Sequence, residues 1–338
     1  MARKTQRENY VVRTFNGLAY GYFLSFVIGT LLKQIGNAVH WSLLYQWGVI
    51  VTYLMGPVIA IAIAWVIDAR GMSLVASVIA GTIGAGTVVV DGSQVTLQSG
   101  NPLMAYLAII LSVEVIRLVQ DKTPLDIFLL PFLAVLCSGL LTRFLGPYIS
   151  QLIVWFGHLI NQGVSMQPVL MGMVVALFMG IASTSPLSST TIGMILGLDG
   201  LAAGAAMAGC CGQMIGFAVM SINDNNIIDV LAIAIGTSML QFKNILKRPV
   251  IWIPPLIASL VCGLVSSIVG IQCSSFGSGM GMMALIGLTE SIQIMGMSYW
   301  LPLILVDVLL PMAICYSMYK AFRKLNYIKS GDMHLSGL

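Results

Sequence analysis

Charge is scarce in this chain of 338 residues. Its 16 Lys and Arg and 12 Asp and Glu residues make up 8% of the sequence, against roughly 25% in ordinary soluble domains, while 58% of the residues are hydrophobic and mean hydropathy is +0.95. A soluble protein with so few charges could not cover its surface. The composition therefore predicts a polytopic membrane protein, and it excludes disordered, collagen-like, disulfide-scaffold and soluble dinucleotide-binding classes.

Long apolar runs predict membrane-spanning helices, since each crossing needs about 20 mostly apolar residues. The runs are too long and too uniformly apolar for the strands of a membrane barrel. We therefore predict an all-α polytopic membrane protein with about ten transmembrane helices. These lie near residues 14–32, 42–67, 72–90, 103–120, 125–142, 145–162, 167–182, 199–221, 250–271 and 299–319.

Basic residues indicate the orientation. Four Lys or Arg residues lie in residues 1–13, four more lie in residues 320–329, and three lie in the loop 243–248. Short basic loops stay in the cytoplasm, so both termini and this loop are predicted to be cytoplasmic. Segment 226–241 then cannot span, and we predict a buried or interfacial helix there. The predicted organisation is a basic N-terminus over 1–13, a single transmembrane domain over 14–319, and a basic C-terminus over 320–338.

Two polar, glycine-punctuated stretches interrupt the apolar pattern. One is residues 183–191, which a glycine-rich run follows, and the other is residues 273–281, which continue to residue 291. Irregular backbone at membrane depth is tolerated only where it is buried in protein or lines a cavity, and paired broken segments commonly form transporter sites. We predict two re-entrant, hairpin-like segments. The alternative is that each stretch is an ordinary outer loop.

A few charged residues remain in apolar surroundings, and Glu290 is the first functional candidate among them. A carboxylate there can accept hydrogen bonds from solute hydroxyls or take up a proton, whereas the alternative is a loop-exposed glutamate. Asp307 lies midway along the last predicted span and has to face the bundle interior or a partner, in a structural or a functional role. Glu114 and Arg117 are spaced to pair on one helix face. Asp199 is placed to cap a following helix.

Uncharged polar residues could add contacts to the same solute. The candidates are Thr289, Gln213, Ser185, Ser188 and Ser189. The amide of Gln213 could equally join two helices. Asn223 and Asp224 lie in a polar turn that is either solvated or lines the cytoplasmic mouth. The glycine spacing around Gln213 predicts close helix packing, with Cys210 and Cys211 as small apolar fillers.

Signatures of other chemistries are lacking in the sequence. The six cysteines have no CxxC spacing, and there is no phosphate-binding loop, dinucleotide fingerprint or nucleophile elbow. We therefore expect no enzyme activity, no metal site and no cofactor. Because the basic residues lie at the termini and in short loops, we expect no nucleic-acid partner.

Gly287-Leu288-Thr289-Glu290 resembles the Gly-Ile-Thr-Glu signature of the membrane (IIC) components of sugar phosphotransferase systems. Residues 12–325 more broadly resemble the compact EIIC-like family (PTS EIIC type 2), which includes perfringolysin-regulator-like membrane proteins. The segments that carry this wider resemblance are 184–189 (TSPLSS), 200–204 (GLAAG), 209–214 (GCCGQM) and 252–255 (WIPP).

This resemblance implies a homodimeric permease of ten helices with two re-entrant hairpins in the bacterial cell membrane. It gives Glu290 the role of binding the hydroxyls of a sugar-like solute, which alternating access would move. Separate IIA and IIB proteins would be partners, and this chain would hold no phosphorylation site. An alternative is a membrane-embedded sensor or regulator that does not itself transport. A third interpretation, an exporter of lipophilic solutes, predicts a cavity with few polar groups.

Overall fold

The computed structural model of the chain describes residues 10–92, 94–98, 100–122, 125–164 and 167–335. Within these ranges, six helices are long and apolar enough to cross a membrane, or seven if Ser42–Tyr53 and Met55–Val66, bent by 54° at their junction, form one span. The all-α polytopic class is therefore confirmed, whereas the count of ten spans is not. Most of the N-terminal segment predicted to be cytoplasmic, residues 1–9, lies outside the described ranges.

The difference from ten spans has local causes. The predicted spans 125–142 and 145–162 form one continuous helix, Asp126–Val164, because Pro147 lies inside the helix and does not end it. The helices in predicted spans 72–90 and 167–182 have only 14 and 17 residues. Left-handed Gly86 ends the first of these early, at a φ of 64°. Val88–Asp91, predicted mostly as helix, instead pairs as a strand with Gln94–Leu97.

The chain divides into two compact units, Met1–Ser150 with the last two residues, and Gln151–Ser336. The single transmembrane domain over 14–319 stays a prediction. Unit 1 contains helices and one antiparallel hairpin in which Val88 pairs with Leu97. Its elements are α1 Tyr10–Tyr22, α2 Ile28–Ala38, α3 Ser42–Tyr53, α4 Met55–Val66, α5 Met72–Ala85, β1 Val88–Asp91, β2 Gln94–Leu97, α6 Pro102–Val119 and α7 Asp126–Val164, which continues into unit 2.

Four charged residues in the described part of unit 1 lie in ion pairs. Arg117 lies 2.9 Å from Glu114 on α6, which confirms the pairing predicted from their spacing. The hydroxyl of Tyr10 also donates to Glu114, at 2.5 Å. Arg13 on α1 pairs with Asp68 at 2.9 Å. These polar groups of the unit are therefore engaged with one another.

Unit 2 contains many short helical pieces between its long helices. A π-helical turn, Leu305–Leu309, joins the last two helices, and 3₁₀ turns connect several others. The segment 226–241 forms short helical turns in place of one regular helix. The α-helices are α8 Pro168–Thr184, α9 Ser189–Ile195, α10 Gly200–Ser221, α11 Ile227–Leu231, α12 Phe242–Lys247, α13 Ile253–Val269, α14 Ser275–Ser278, α15 Ile286–Met295, α16 Trp300–Ile304 and α17 Leu310–Lys324.

Helix α10 is the core of unit 2. Nearly all of it is buried, and α8, α13 and α17 pack around it. Small residues permit this approach, because a Cβ on Gly209 would meet the backbone of Ala176 on α8. Asp199 caps the helix by accepting a 2.9 Å hydrogen bond from the backbone of Gly200. The tight packing and the cap predicted for this helix are both confirmed.

Candidate functional site

The two predicted interruptions both break the helical pattern of unit 2. In the first, α8 ends at Thr184 and the short helix α9 begins after Ser188, whose hydroxyl accepts from the backbone N–H of Thr191 at 3.3 Å. In the second, α13 ends at Val269 and the short helix α14 begins after Ser274, which accepts from the backbone N–H of Gly277 at 3.1 Å. Each short helix therefore starts with a serine cap.

The two interruptions lie against each other. The hydroxyl of Ser189 donates to the carbonyl of Gly279 at 2.7 Å. A Cβ on Gly279 would collide with the backbone at Ser189, so only glycine permits this approach. Thr190 next to it lies 3.5 Å from the sulfur of Met280. Segments about 90 residues apart in the sequence thus meet at one place.

Glu290 lies on α15, directly beside this meeting place. Its Oε2 accepts a 2.8 Å hydrogen bond from Ser274 Oγ, and the side chain packs over Gly277. The residue is half-buried, and its Oε1 has no hydrogen-bond partner within the described part of the chain. The site therefore holds a carboxylate with one oxygen fixed by the protein and the other able to accept from a solute.

The backbone before Glu290 is strained. Ala284 and Leu285 both have a left-handed backbone conformation, with φ of 49° and 60°. Residues other than glycine rarely adopt this conformation. Consecutive outliers of this kind cluster at binding and active sites. Sequence reasoning missed this feature because neither residue type signals a left-handed turn.

Sulfur-containing side chains join the second interruption to α10. Cys210 lies 3.7 Å from the carbonyl of Ser278, and the hydroxyl of Ser291 lies 3.3 Å from the sulfur of Met207. Cys273 lies 3.6 Å from the carbonyl of Gly287. Thioethers and thiols adapt to irregular backbone, so they suit this contact. Within the described ranges, no three His, Cys, Asp or Glu residues come together as a metal-binding group.

The other predicted site residues have varied surroundings. Ser189 is at the meeting place, whereas Ser185 donates to the carbonyl of Ala182 in its own helix at 3.1 Å and Ser188 caps α9. Thr289 is exposed, next to Glu290, and donates to the carbonyl of Ile286 at 3.0 Å. The sequence interpretation missed Ser274 as a site residue, although serine is a preferred residue at the start of a helix.

Gln213 is fully buried in α10 within a different polar network. Its Oε1 accepts from Thr184 at 3.1 Å and from the indole of Trp252 at 2.9 Å, and its Nε2 donates to Ser259 at 2.9 Å. None of these partners takes part in the hydrogen bond between Glu290 and Ser274. A solute-binding role for Gln213 stays a prediction, and it would require these hydrogen bonds to be exchanged.

Asn223 and Asp224 lie in the turn after α10. Asn223 is exposed, whereas Asp224 holds the C-terminal segment 327–335, which we call the strap. The two carboxylate oxygens of Asp224 accept from the backbone N–H groups of Gly331 and Met333, at 2.9 and 3.1 Å. Asp224 therefore binds backbone of the chain itself.

Amide side chains from two other segments also form hydrogen bonds with the strap. Asn225 and Gln241 both donate to the carbonyl of Met333, at 2.8 and 2.9 Å, and Asn244 donates to that of His334 at 3.2 Å. Arg248 pairs with Asp332 at 2.8 Å. Met333 is fully buried as a result.

Asp307 lies in the π-helical turn Leu305–Leu309 and is fully buried. Neither of its oxygens has a hydrogen-bond partner in the described part of the chain. The side chain therefore faces the interior of unit 2, one of the two surroundings that the sequence left open.

A comparison with known protein families finds a match for this chain. A family model described as "Phosphotransferase system, EIIC" matches residues 12–335, nearly the whole chain. No match is found among curated protein sequences.

Proposed function

The chain belongs to the EIIC family of phosphotransferase-system membrane components, and from that premise we propose that it is a permease for a small polar, sugar-like solute. The solute binds where the two interrupted segments meet and crosses the membrane by alternating access. On this proposal the chain binds and moves its solute without a catalytic residue or cofactor of its own.

Glu290 is the observation that carries the proposal. A carboxylate accepts hydrogen bonds strongly, and a sugar presents neighbouring hydroxyl donors. Ser274 fixes one oxygen of Glu290 while the other has no partner in the described ranges, so an incoming hydroxyl finds an oriented acceptor. The location in broken helices between packed elements is typical of transporter sites.

Neighbouring polar groups support the same site. Thr289 precedes Glu290 on α15, and Ser189 holds the first interruption against the second. We propose that Thr289, Ser185 and Ser188 add polar contacts to the solute from the two segments. Gln213 contributes a contact to the solute only if it exchanges its present hydrogen bonds for hydrogen bonds to the solute.

The remaining features of the proposal concern assembly and orientation. We propose a homodimer in the bacterial cell membrane with both termini in the cytoplasm, as the basic residues at both ends favour. Separate IIA and IIB proteins are the proposed partners, since a IIC component works with them in phosphorylation-coupled transport.

A flux assay tests the proposal. The purified chain is reconstituted in proteoliposomes, and uptake of labelled hexoses, pentoses and hexitols is compared with protein-free vesicles and with the Glu290→Gln variant. We expect uptake of at least one compound by the wild type and loss of that uptake in the variant. Binding without translocation would support the sensor interpretation and overturn the permease.

A further inference from the structure

The strap lies in a groove that binds it largely through its backbone. The groove is formed by the turn after α10, the 3₁₀ turn Ser238–Gln241 and α12. Asn225 in the turn donates to the carbonyl of Met333 at 2.8 Å and accepts from the backbone N–H of Leu335 at 2.7 Å. In peptide recognition, main-chain hydrogen bonds of this kind supply affinity, and pockets for side chains supply specificity. The groove therefore has the polar part of a peptide-binding site.

Apolar side chains of the strap supply the second part. Ile328, Met333 and Leu335 are buried, whereas His334 between the last two is exposed. This alternation is typical of an extended segment that presents every second side chain to its binding site. Ser330, also in the strap, is exposed. A substitution at Met333 therefore reaches the groove, whereas one at Ser330 does not.

The turn that binds the strap also contacts the first interruption. Gln241 donates to the carbonyl of Met333 at 2.9 Å, and it ends the buried 3₁₀ turn that begins at Ser238. The hydroxyl of Ser238 lies 2.9 Å from that of Thr184, the last residue of α8. Because Thr184 donates its one hydroxyl proton to Gln213, Ser238 is the donor to Thr184. One turn of four residues thus joins the strap to the first interruption.

The backbone just before this turn contacts the second interruption. The π-helical turn Ala232–Gly236 packs against the 3₁₀ turn Met283–Leu285, which contains the left-handed pair before Glu290. Single π-helical turns are frequent at functional sites, and short 3₁₀ stretches often mark hinges. Segment 232–241 therefore contacts the strap and both interruptions, and its movement would change both sides of the solute site.

We propose that the strap is an autoinhibitory element, bound as an internal peptide ligand. While it occupies the groove, segment 232–241 holds the two interruptions in the conformation described, and solute exchange at Glu290 requires the strap to leave. The ligand class of the groove is a peptide with a Met-X-Leu sequence, which the chain itself supplies. The effect on transport rests on the proposed function, whereas the groove and its effect on the interruptions can be measured without any solute.

Peptide binding tests the groove. A fluorescent peptide with the strap sequence, YIKSGDMHL, is titrated into the full chain in lipid nanodiscs. Met333→Lys releases the strap because a charge is costly in an apolar pocket, and Ser330→Lys adds the same charge at an exposed position. We expect Met333→Lys to bind the peptide at least ten times more tightly than Ser330→Lys or the wild type, whose grooves are occupied. Equal binding by the three proteins would overturn the proposal. If Met333→Lys does not assemble, Leu335→Lys replaces it with the same expectation.

Hydrogen exchange tests the effect on the interruptions. Amide exchange of the two lysine variants is followed by mass spectrometry, with and without saturating peptide. We expect Met333→Lys to exchange at least ten times faster than Ser330→Lys in residues 184–191 and 281–290 as well as in 232–241, and the peptide to restore protection. Faster exchange confined to residues 232–241 and the strap would show that the strap stabilises only its own groove, which would overturn the proposal.

Uptake tests the autoinhibition. Proteoliposomes with each variant are given the labelled compounds of the uptake panel. We expect Met333→Lys to take up the transported compound several-fold faster than Ser330→Lys, and added peptide to restore the slower rate. Equal or slower uptake by Met333→Lys would overturn the autoinhibitory role. If no protein takes up any compound, the wild type included, the proposed function fails, and hydrogen exchange still decides whether the strap holds the interruptions.

Discussion

Ser274 Oγ donates a hydrogen bond of 2.8 Å to Glu290 Oε2, and the same oxygen atom of Ser274 caps α14 by accepting from Gly277. One serine therefore sets both the start of the second short helix and the orientation of the carboxylate. Ser188 caps α9 in the first interruption in the same way, and its hydroxyl bonds to Thr191 where that of Ser274 bonds to Glu290.

Ser274→Ala should weaken solute binding several-fold, because Glu290 loses the donor that orients it. The lost cap should also lower the free energy of unfolding by about 1 kcal/mol. Asn226→Ala is the control, since it removes a comparable cap from α11, where Asn226 accepts from the backbone N–H of Asp229 at 2.9 Å, and leaves Glu290 Oε2 bonded. Thermal unfolding and equilibrium binding of the transported compound measure both effects. An equal loss of affinity in the two variants would contradict the role given to Ser274.

Gly279→Ala should separate the two interruptions. The added methyl group would meet the backbone of Ser189, and overpacking of this kind costs about 1–3 kcal/mol. Gly139→Ala is the control, because a Cβ at Gly139 on α7 has open space around it. Thermal unfolding in detergent should show a lower midpoint for the first variant alone. An unchanged midpoint and unchanged uptake would mean that the interruptions need not touch.

Gln213→Ala should destabilise unit 2 by about 2–4 kcal/mol. The substitution leaves a cavity in α10. It also leaves the polar side-chain groups of Trp252, Ser259 and Thr184 without their hydrogen-bond partner. Chemical unfolding of the purified variant measures the cost. A change below about 0.5 kcal/mol, the usual range for surface substitutions, would show that this network contributes little. The solute affinity of the folded variant separately decides whether Gln213 also contacts the solute.

Asp224→Ala should release the strap. Two backbone hydrogen bonds to the carboxylate disappear, so Lys329 becomes more accessible to trypsin. Asn223→Ala is the matched control, since Asn223 is the exposed neighbour in the same turn. Mass spectrometry of timed digests should show cleavage after Lys329 several-fold faster in the first variant. Equal rates for both variants would contradict the contacts described for Asp224.

The parts that sequence could predict are those with a local signal. Glu290 stands out because it follows a long uncharged region, and the glycines and serines around it predict broken helix. Asp199 and the pair Glu114 and Arg117 follow from spacing alone. The shared feature of these predictions is that each depends on residues close together in the chain.

The parts that sequence could not predict depend on distant contacts or on context. Asp224 binds backbone that is more than 100 residues away in the sequence. The local sequence therefore cannot distinguish a solvated polar turn from a turn that binds the strap. Arg143 lies between the predicted spans 125–142 and 145–162, yet α7 continues through it as one helix that also contains Pro131 and Pro147. The left-handed pair before α15 has no signal in its residue types.

The most direct test of the account is solute affinity at Glu290. Isothermal titration of the transported compound compares the wild type, Glu290→Gln and Asp199→Asn. The last variant also loses one carboxylate, but asparagine still caps α10. Hydrogen bonds to a charged group contribute about 1.5–3 kcal/mol, so we predict that Glu290→Gln binds roughly ten to a hundred times more weakly while Asp199→Asn binds like the wild type. Unchanged affinity in a folded Glu290→Gln protein would contradict the central claim.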